Sequence, residues 1–336
     1  MSDSGTHSIR WGILATGGIA HAFTQDLRTA GLDIAAVGSR RADSAREFAE
    51  QYGIPRAHGS YEDLVADPDV DIVYVASPHS HHAAHALLAL EAGKNVLIEK
   101  AVTLDAAEAI AIRDAAAERG LLAMEAMWTR YLPHMVRIRE LVASGALGEV
   151  RTVIADHTQR ITDDPNHRLN ALELGGGALL DLGIYPVSFA VDILGPATDA
   201  RALGRLGETG ADTEASIALR HPSGAVSSIA TSSRAAGPNT AHVVGTEARI
   251  DIDRVWYTPT SFRLVGPDGD VREEYISRIE GRGMQFQALY AEELLRAGRT
   301  DGDILPFAES VAIMQTLDDI RAQLGVVYPN ASDRSQ

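Results

Sequence analysis

In mid-chain the stretch Gly175-Gly176-Gly177-Ala178-Leu179-Leu180-Asp181-Leu182-Gly183-Ile184-Tyr185-Pro186 is apolar except for two side chains, Asp181 and Tyr185. They stand four residues apart, which places both on one face if the segment is helical. The rest of the run offers little to satisfy a carboxylate or a phenol, and burying either without a partner costs free energy. A carboxylate and a phenol facing one cleft suit proton transfer. A buried helix whose Asp and Tyr bond to nearby backbone is the plainer alternative. The three glycines before them allow another chain or a ligand to approach the backbone closely.

A second group of chemical signals lies near the N-terminus. Ala15-Thr16-Gly17-Gly18-Ile19-Ala20 approximates the G-x-G-x-x-G/A turn that cradles a pyrophosphate; Gly17 and Ala20 match, and Ala15 stands where the first glycine belongs. The turn sits between a predicted strand and a predicted helix, as such a site requires, although a plain strand-to-helix turn would read the same way. Further on, Gly38-Ser39-Arg40-Arg41 occupies the place of the acidic residue that accepts a ribose 2′-hydroxyl and selects NAD. A hydroxyl and a guanidinium there suit a 2′-phosphate, which predicts NADP, with Arg40 the principal contact and Arg41 stacking or assisting. Arginines that merely solubilise a loop would leave NAD possible.

His79, His81, His82 and His85 invite a metal reading, since His81 and His85 share a helical i, i+4 face. No acidic partner lies near them, and they follow Ser77-Pro78 at the carboxyl end of a strand, where they would border a nicotinamide. No metal is expected. For substrate contacts the chain offers Trp128, Arg130, Arg160, His167 and Arg168. Trp128 suits stacking on a sugar face or a nicotinamide edge, or an ordinary core position at a domain junction. Arg168 precedes the glycine-rich segment closely enough to line the cleft, or sits on the surface. His157, on a strand, reads as structural.

These residues need a scaffold, and the pattern supplies one. Apolar runs at 9–15, 33–38, 70–76, 95–99 and 121–125 read as strands, with helices at 19–30, 43–52, from 61 to about 67, 80–92 and 106–119 between them. Val70 to Ala76 is nearly continuous in apolar character, as in a strand buried on both faces. Alternation of this kind predicts a Rossmann-like, doubly wound parallel α/β sheet with ligands at the carboxyl ends of its strands. A helix at 132–144 follows. Strands at 151–157, 215–219, 225–232, 248–253, 261–265 and 271–276 then predict a second α/β domain with a mostly antiparallel sheet, closed by helices at 284–297 and 306–324. The break near residues 126–131 divides the chain into a dinucleotide-binding domain, 1–128, and a second, substrate-binding domain, 129–336.

The chain's 336 residues exceed the ~250–300 at which one core splits into two. The absence of cysteine excludes disulfides and thiolate metal sites. A net charge of −16 argues against nucleic acid or an anionic membrane as partner, without forbidding a local positive pocket. The N-terminal Met1–Ser8 has no apolar core of a signal peptide, and no stretch reaches ~18 uninterrupted apolar residues. A cytoplasmic protein is expected.

Several further motifs complete the reading. Glu99-Lys100-Ala101 ends a predicted strand, and Gly59-Ser60-Tyr61-Glu62-Asp63-Leu64, Met124-Glu125-Ala126-Met127-Trp128-Thr129-Arg130, Gly175–Tyr185 and Gly325-Val326-Val327-Tyr328-Pro329 follow in order. With them the chain resembles the glucose–fructose oxidoreductase/inositol dehydrogenase (Gfo/Idh/MocA) family over almost its whole length. Within the family it is similar to the branch of dimeric dihydrodiol and NADP-dependent D-xylose dehydrogenases. The resemblance implies a Rossmann domain and a C-terminal α/β domain whose open sheet pairs with another subunit's, giving a homodimer or homotetramer. It places Glu99 and Lys100 beside the nicotinamide, Lys100 also near the reacting hydroxyl, and adds Ser77, Pro78 and His82 to the cofactor site with Gly17, Gly18, Ile19 and Ala20.

The family's catalytic pair falls on Asp181 and Tyr185. Tyrosine ionises near ~10, too high for a good base at neutral pH. An ammonium beside it would lower that value. The expected roles are Tyr185 as acid/base, Lys100 as its electrostatic partner and donor to the reacting oxygen, and Asp181 as a substrate-orienting acceptor; the roles of Tyr185 and Asp181 could be exchanged. Alanine at 101 replaces the motif's proline and leaves the Lys100–Ala101 peptide geometry open. The expected activity is hydride transfer between NADP and a hydroxyl-bearing carbon of an aldose, polyol or cyclic diol. A dehydrogenase or reductase for another sugar (glucose, an anhydro-sugar or an inositol) and a non-catalytic NADP-sensing regulator are the alternatives.

Overall fold

A computed structural model describes residues 8–329. The first half is a six-stranded sheet of β1 (Arg10–Leu14), β2 (Asp33–Gly38), β3 (Arg56–His58), β4 (Ile72–Val75), β5 (Asn95–Glu99) and β6 (Ala123–Ala126). All five pairings are parallel and the order is β3-β2-β1-β4-β5-β6. That order reverses direction between β1 and β4, which opens a crevice at their carboxyl ends. All four residues of β4 are buried, because helices cover both faces of the sheet. Helices α1 (Gly18–Thr29), α2 (Ala42–Tyr52), α3 (Tyr61–Ala66), α4 (His82–Glu91) and α5 (Ala106–Arg119) make the crossovers. Ser60 and Asp105 cap the starts of α3 and α5 by accepting from backbone N–H groups three residues on.

After α6 (Pro133–Ala143), the second half forms an eight-stranded sheet in the order β14-β13-β12-β11-β7-β10-β9-β8. Its strands are β7 (Val150–Thr158), β8 (Asp199–Leu206), β9 (Asp212–Arg220), β10 (Val226–Ser232), β11 (Ala241–Gly245), β12 (Arg249–Ile252), β13 (Phe262–Val265) and β14 (Val271–Tyr275). Only β7 and β10 pair in parallel. Strand β9 alternates buried and exposed residues through Ala215–Arg220, the pattern of a sheet covered on one face. Helix α7 (Ile184–Leu194) lies on the covered face.

The pattern of apolar runs misses three strands. β3 is three residues long, β8 is a mostly exposed edge strand, and β11 is five residues with a glycine at its end. Such short or half-polar segments carry too little periodicity to register. The C-terminal helices α8 (Gln285–Arg296) and α9 (Phe307–Leu324) return to the first half and pack on α1 and α5. Two side-chain bonds knit them there: Trp11 Nε1 donates to Glu292 at 2.9 Å, and Asp318 accepts from Ala106 N–H at 2.9 Å.

The expectation about membrane-length segments needs a qualification. Leu172–Leu194 has mean hydropathy 1.5 and is long enough to cross a bilayer, but 83% of its most apolar stretch is buried inside the protein. Its apolar residues are core residues. The polar N-terminal Met1–His7 and the polar last residues, 330–336, lie outside the described residues.

Candidate active site

Lys100 follows the end of β5, in the crevice where the parallel sheet reverses, and its peptide bond to Ala101 is cis. Its ammonium donates to the Asp181 carbonyl at 2.8 Å and to the Asp181 carboxylate at 3.2 Å, and lies 5.0 Å from the centre of the Tyr185 ring. An ammonium has three N–H donors, so one remains for a ligand. Lysine and aspartate are each about 10% exposed at the side chain. The lysine comes from one half of the chain and its two partners from the other.

Asp181 and Tyr185 are not on an uninterrupted α-helix. Leu179–Gly183 is a π-helical turn that leads into α7, a wider turn of a kind that recurs at functional sites. The turn is held from below. Asp212 accepts from the Leu179 N–H at 2.6 Å, and Tyr328 donates to the Gly176 carbonyl at 3.0 Å. A Cβ on Gly177, at φ +137°, would collide with Asp212 Oδ1, and one on Gly176 would stand 2.8 Å from the carbonyls of Arg168 and Ala171. The triple glycine therefore serves close approach of the protein's own chain, which seats the π turn against β9 and the C-terminal segment.

Electrostatics separate the three groups. Burial alone would lower Lys100, but Asp181, then Tyr185 and Glu99, reverse it and raise its pKa. Burial would raise Asp181, yet Lys100 and Arg168 hold it well below the ordinary carboxylate range. For Tyr185, burial wins: its pKa is raised although Lys100 pulls it down. The lysine neighbour does lower the phenol, as the sequence leads one to expect, but burial outweighs it and the net direction is upward. The lysine sits over the ring face, and the phenol oxygen instead accepts from Trp128 Nε1 at 3.1 Å. Among the described residues, no acceptor lies within hydrogen-bond reach of the phenol's own O–H.

Of the other predicted residues, Arg168 is brought in and donates to Asp181 at 3.1 Å from the exposed rim. Trp128 is buried against Tyr185. Arg130 is not a substrate contact: it is 3% exposed and consumed by Asp192 at 2.9 Å, Glu309 at 2.7 Å and Ser188. Glu99 and His82 are buried with their polar atoms turned largely to the protein. Glu99 is buried beneath the sheet's carboxyl edge, bonded to Tyr74 and pushed up to about 7 by burial. His82 has Nδ1 2.9 Å from the Ala101 carbonyl and Nε2 2.8 Å from that of Ser77, so it braces the backbone behind Lys100. Burial pushes that ring down to about 3. A neutral ring donates only once, so only one of the two contacts is a donated bond. His79 does the same between the Gly175 and Lys100 carbonyls, both at 3.1 Å, and so ties the two halves together. His167 Nδ1 accepts from Leu169 N–H within its own turn, and Arg160 is exposed.

Two residues of the cleft, Tyr257 and Arg282, went unread in the sequence, and a third, His157, was read only as structural. His157 lies 4.9 Å from the Tyr185 ring and stacks on Tyr257 at 3.7 Å, with Gln159 bonded to both. Burial pushes it down to about 3. Strand alternation was the available signal, because Val153, Ala155 and His157 share the inward face of β7. Tyr257 and Arg282 lie on loops that carry no periodicity. Arg282 stands 5.8 Å over the Trp128 ring.

At the nucleotide end, α1 starts with no side-chain cap, and a Cβ on Gly17 or Gly18 would meet nothing within 4 Å. Free N–H groups and open space there fit a pyrophosphate. Half-buried Ile19 and buried Ala20 pack the first turn, and Ser39, Arg40 and Arg41 follow the end of β2, with Arg40 and Arg41 exposed and Arg40 beside Tyr61. Ser77 is buried with its hydroxyl 2.9 Å from His85 Nδ1, and Pro78 is exposed at the rim. Ala15, in the first fingerprint-glycine position, has φ +82°. That backbone region suits glycine and disfavours a Cβ. Ala15→Gly is expected to stabilise the protein by about 1 kcal/mol, or roughly 2 °C in Tm by thermal unfolding. A lower Tm would overturn this account of the turn.

Residues 9–127 match the oxidoreductase family with an NAD-binding Rossmann fold, and residues 135–251 match the GFO/IDH/MocA C-terminal domain. Over 331 residues the chain is 35% identical to trans-1,2-dihydrobenzene-1,2-diol dehydrogenase of Mus musculus, covering 96% of this chain and 98% of that one. It is 35% identical over 372 residues to D-xylose 1-dehydrogenase (NADP(+)) of Hypocrea jecorina, covering 98% and 95%. A solved 3-ketoreductase from Actinomadura kijaniata, in complex with NADP and TDP-benzene, superposes with a TM-score of 0.82 at 27% identity over 95% of this chain and 98% of that one.

Proposed function

The chain belongs to the GFO/IDH/MocA oxidoreductase family, and from that premise we propose an NADP-dependent dehydrogenase that acts on a hydroxyl-bearing carbon of an aldose, polyol or cyclic diol. The observation that carries this reading is the meeting of Lys100 with Asp181 and Tyr185, at 3.2 Å and 5.0 Å, across the two halves of the chain. Bound NADP supplies the acceptor for the substrate's hydride. The proton is handled by this chain's side chains.

Tyr185, whose oxygen already accepts from Trp128, directs its remaining O–H bond at the substrate oxygen. As phenolate it takes the substrate's proton in oxidation; as phenol it returns the proton in reduction. Lys100 keeps its charge and has one N–H free, so it donates to the reacting oxygen and stabilises negative charge developing there. Asp181, held ionised by Lys100 and Arg168, accepts from a neighbouring substrate hydroxyl and orients it. A carboxylate so strongly stabilised is a weak base, which favours Tyr185 over Asp181 as the proton acceptor. Gly17 and Gly18 receive the pyrophosphate at α1, and Ser39, Arg40 and Arg41 the 2′-phosphate.

A spectrophotometric screen at 340 nm, with NADP or NAD and a panel of aldoses, inositols and diols, tests the reading. NADP is expected to be preferred, and Arg40→Ala to raise KM for NADP about 10- to 100-fold while changing KM for NAD little. Strong NAD preference removes the assignment of Arg40. Binding of NADPH without turnover of any panel member replaces the dehydrogenase with a sensor.

The same reading carries a cytoplasmic setting, where NADP(H) is at hand, and assembly into a homodimer or homotetramer. Support for assembly lies on the uncovered face of the second sheet. There a shallow hollow of about 920 Å3 is lined by apolar residues that include Leu203, 82% exposed, and Ile154, 46% exposed.

A further inference from the structure

The loop between β14 and α8 brings to the cleft a cation that the mechanism above does not use. Asp26 of α1 holds the loop: its carboxylate accepts from Met284 N–H at 2.8 Å and from Arg282 N–H at 3.5 Å. A Cβ on Gly281, at φ +76°, would lie 2.6 Å from the same carboxylate, so the loop passes as close as a glycine allows. With its backbone pinned, Arg282 lays its guanidinium 5.8 Å over the face of Trp128. The edge of that indole is bonded to the Tyr185 hydroxyl at 3.1 Å. One indole therefore spans from the proposed reacting phenol to a second positive group.

Among the described residues, the Arg282 side chain has no ion pair and no hydrogen bond, whereas Arg130 and Arg168 both have carboxylate partners. Lys100 and Arg168 share the single ionised carboxylate of Asp181. Of the other carboxyls nearby, Asp26 is spent on the Met284 and Arg282 backbone N–H groups, and Glu99 is buried and bonded to Tyr74. The cleft thus presents one arginine whose fork is not committed to a carboxylate, on a molecule whose net charge is −16. Stacking on an indole fixes the guanidinium plane and leaves its N–H edge for a carboxylate or phosphate, the groups that match its fork.

We infer that Arg282 is a specificity-determining residue that binds an anionic group, carboxylate or phosphate, on the substrate at the end away from the reacting hydroxyl. The inference rests on the dehydrogenase reading above and names the substrate class within it: acidic sugars and sugar phosphates.

The test uses the full chain, saturating NADP and three hexoses that differ only at C6: D-glucose, D-glucuronate and D-glucose 6-phosphate. Wild type is expected to favour at least one of the two acids over glucose in kcat/KM by about tenfold at low ionic strength, and by less at high salt. Which acid responds distinguishes carboxylate from phosphate. Arg282→Gln is expected to abolish the preference, and Arg282→Lys to retain part of it, because the charge stays while the fork is lost. The readout is the acid-to-glucose ratio, so a general loss of activity in a variant does not obscure it. A ratio that favours glucose, or that Arg282→Gln leaves unmoved, overturns the inference and leaves the dehydrogenase standing. So does turnover confined to D-xylose or a cyclic diol, with neither acid accepted. An unmoved ratio with weaker NADPH binding reassigns Arg282 to the cofactor. No NADP reduction with any of these compounds sinks the dehydrogenase reading, and the inference with it.

Discussion

Replacing Lys100 with methionine is expected to lower kcat by about 10^3-fold or more. Methionine fills much of the same volume, so the loss is one of charge and of donors. Two consequences follow from one deletion. The reacting oxygen loses its only nearby ammonium, and Asp181 keeps only Arg168, whose side chain is 57% exposed and therefore screened by water. Removing one partner of a buried pair also destabilises, here by about 3 kcal/mol. Thermal unfolding and NADPH fluorescence accompany the kinetics, and the variant is expected to remain folded and to bind NADPH. Turnover within tenfold of wild type in a folded variant would remove Lys100 from the chemistry.

Tyr185→Phe is expected to cost about 10^2- to 10^4-fold in kcat while NADPH binding stays unchanged. The pH profile then tells the two proton-acceptor assignments apart. Burial raises the Tyr185 pKa above its ordinary value, against the pull of Lys100. Phenolate is therefore scarce at neutral pH, and the oxidation rate rises with pH through the alkaline range. Reduction uses the protonated phenol and stays level until that range, then falls. The phenylalanine variant loses the alkaline limb in both directions. Were Asp181 the acceptor, its pKa, held well below the usual carboxylate range, would make oxidation level through neutral pH and give it only an acid limb. A wild-type profile of that shape, together with near-normal turnover of Tyr185→Phe, would transfer the role to Asp181.

The two halves of the site were unequally legible in the amino-acid order. Parallel strands and crossover helices are written in runs of local character, such as the fully buried Ile72–Val75, because burial on two faces leaves few choices of residue. The positions of Gly17, Lys100, Asp181 and Tyr185 are legible for a related reason. Each sits at a fixed distance from a strand end or within a motif whose spacing survives as a string.

Availability is a different property. Arg130, Glu99 and His82 have the right chemistry at promising places, but they are buried and engaged by the protein: Arg130 by Asp192 and Glu309, one oxygen of Glu99 by Tyr74, His82 by the Ser77 and Ala101 carbonyls. The partner of Arg130 at Glu309 is 179 positions away, beyond the reach of any periodicity. His157, Tyr257 and Arg282 enter the cleft from a strand and two loops that the first half of the chain does not foreshadow. Residue type and spacing determined which groups were capable of proton and anion chemistry. Long-range packing alone decided which of them remained unsatisfied and facing one cavity, because a polar group's reactivity depends on the partners that burial leaves it.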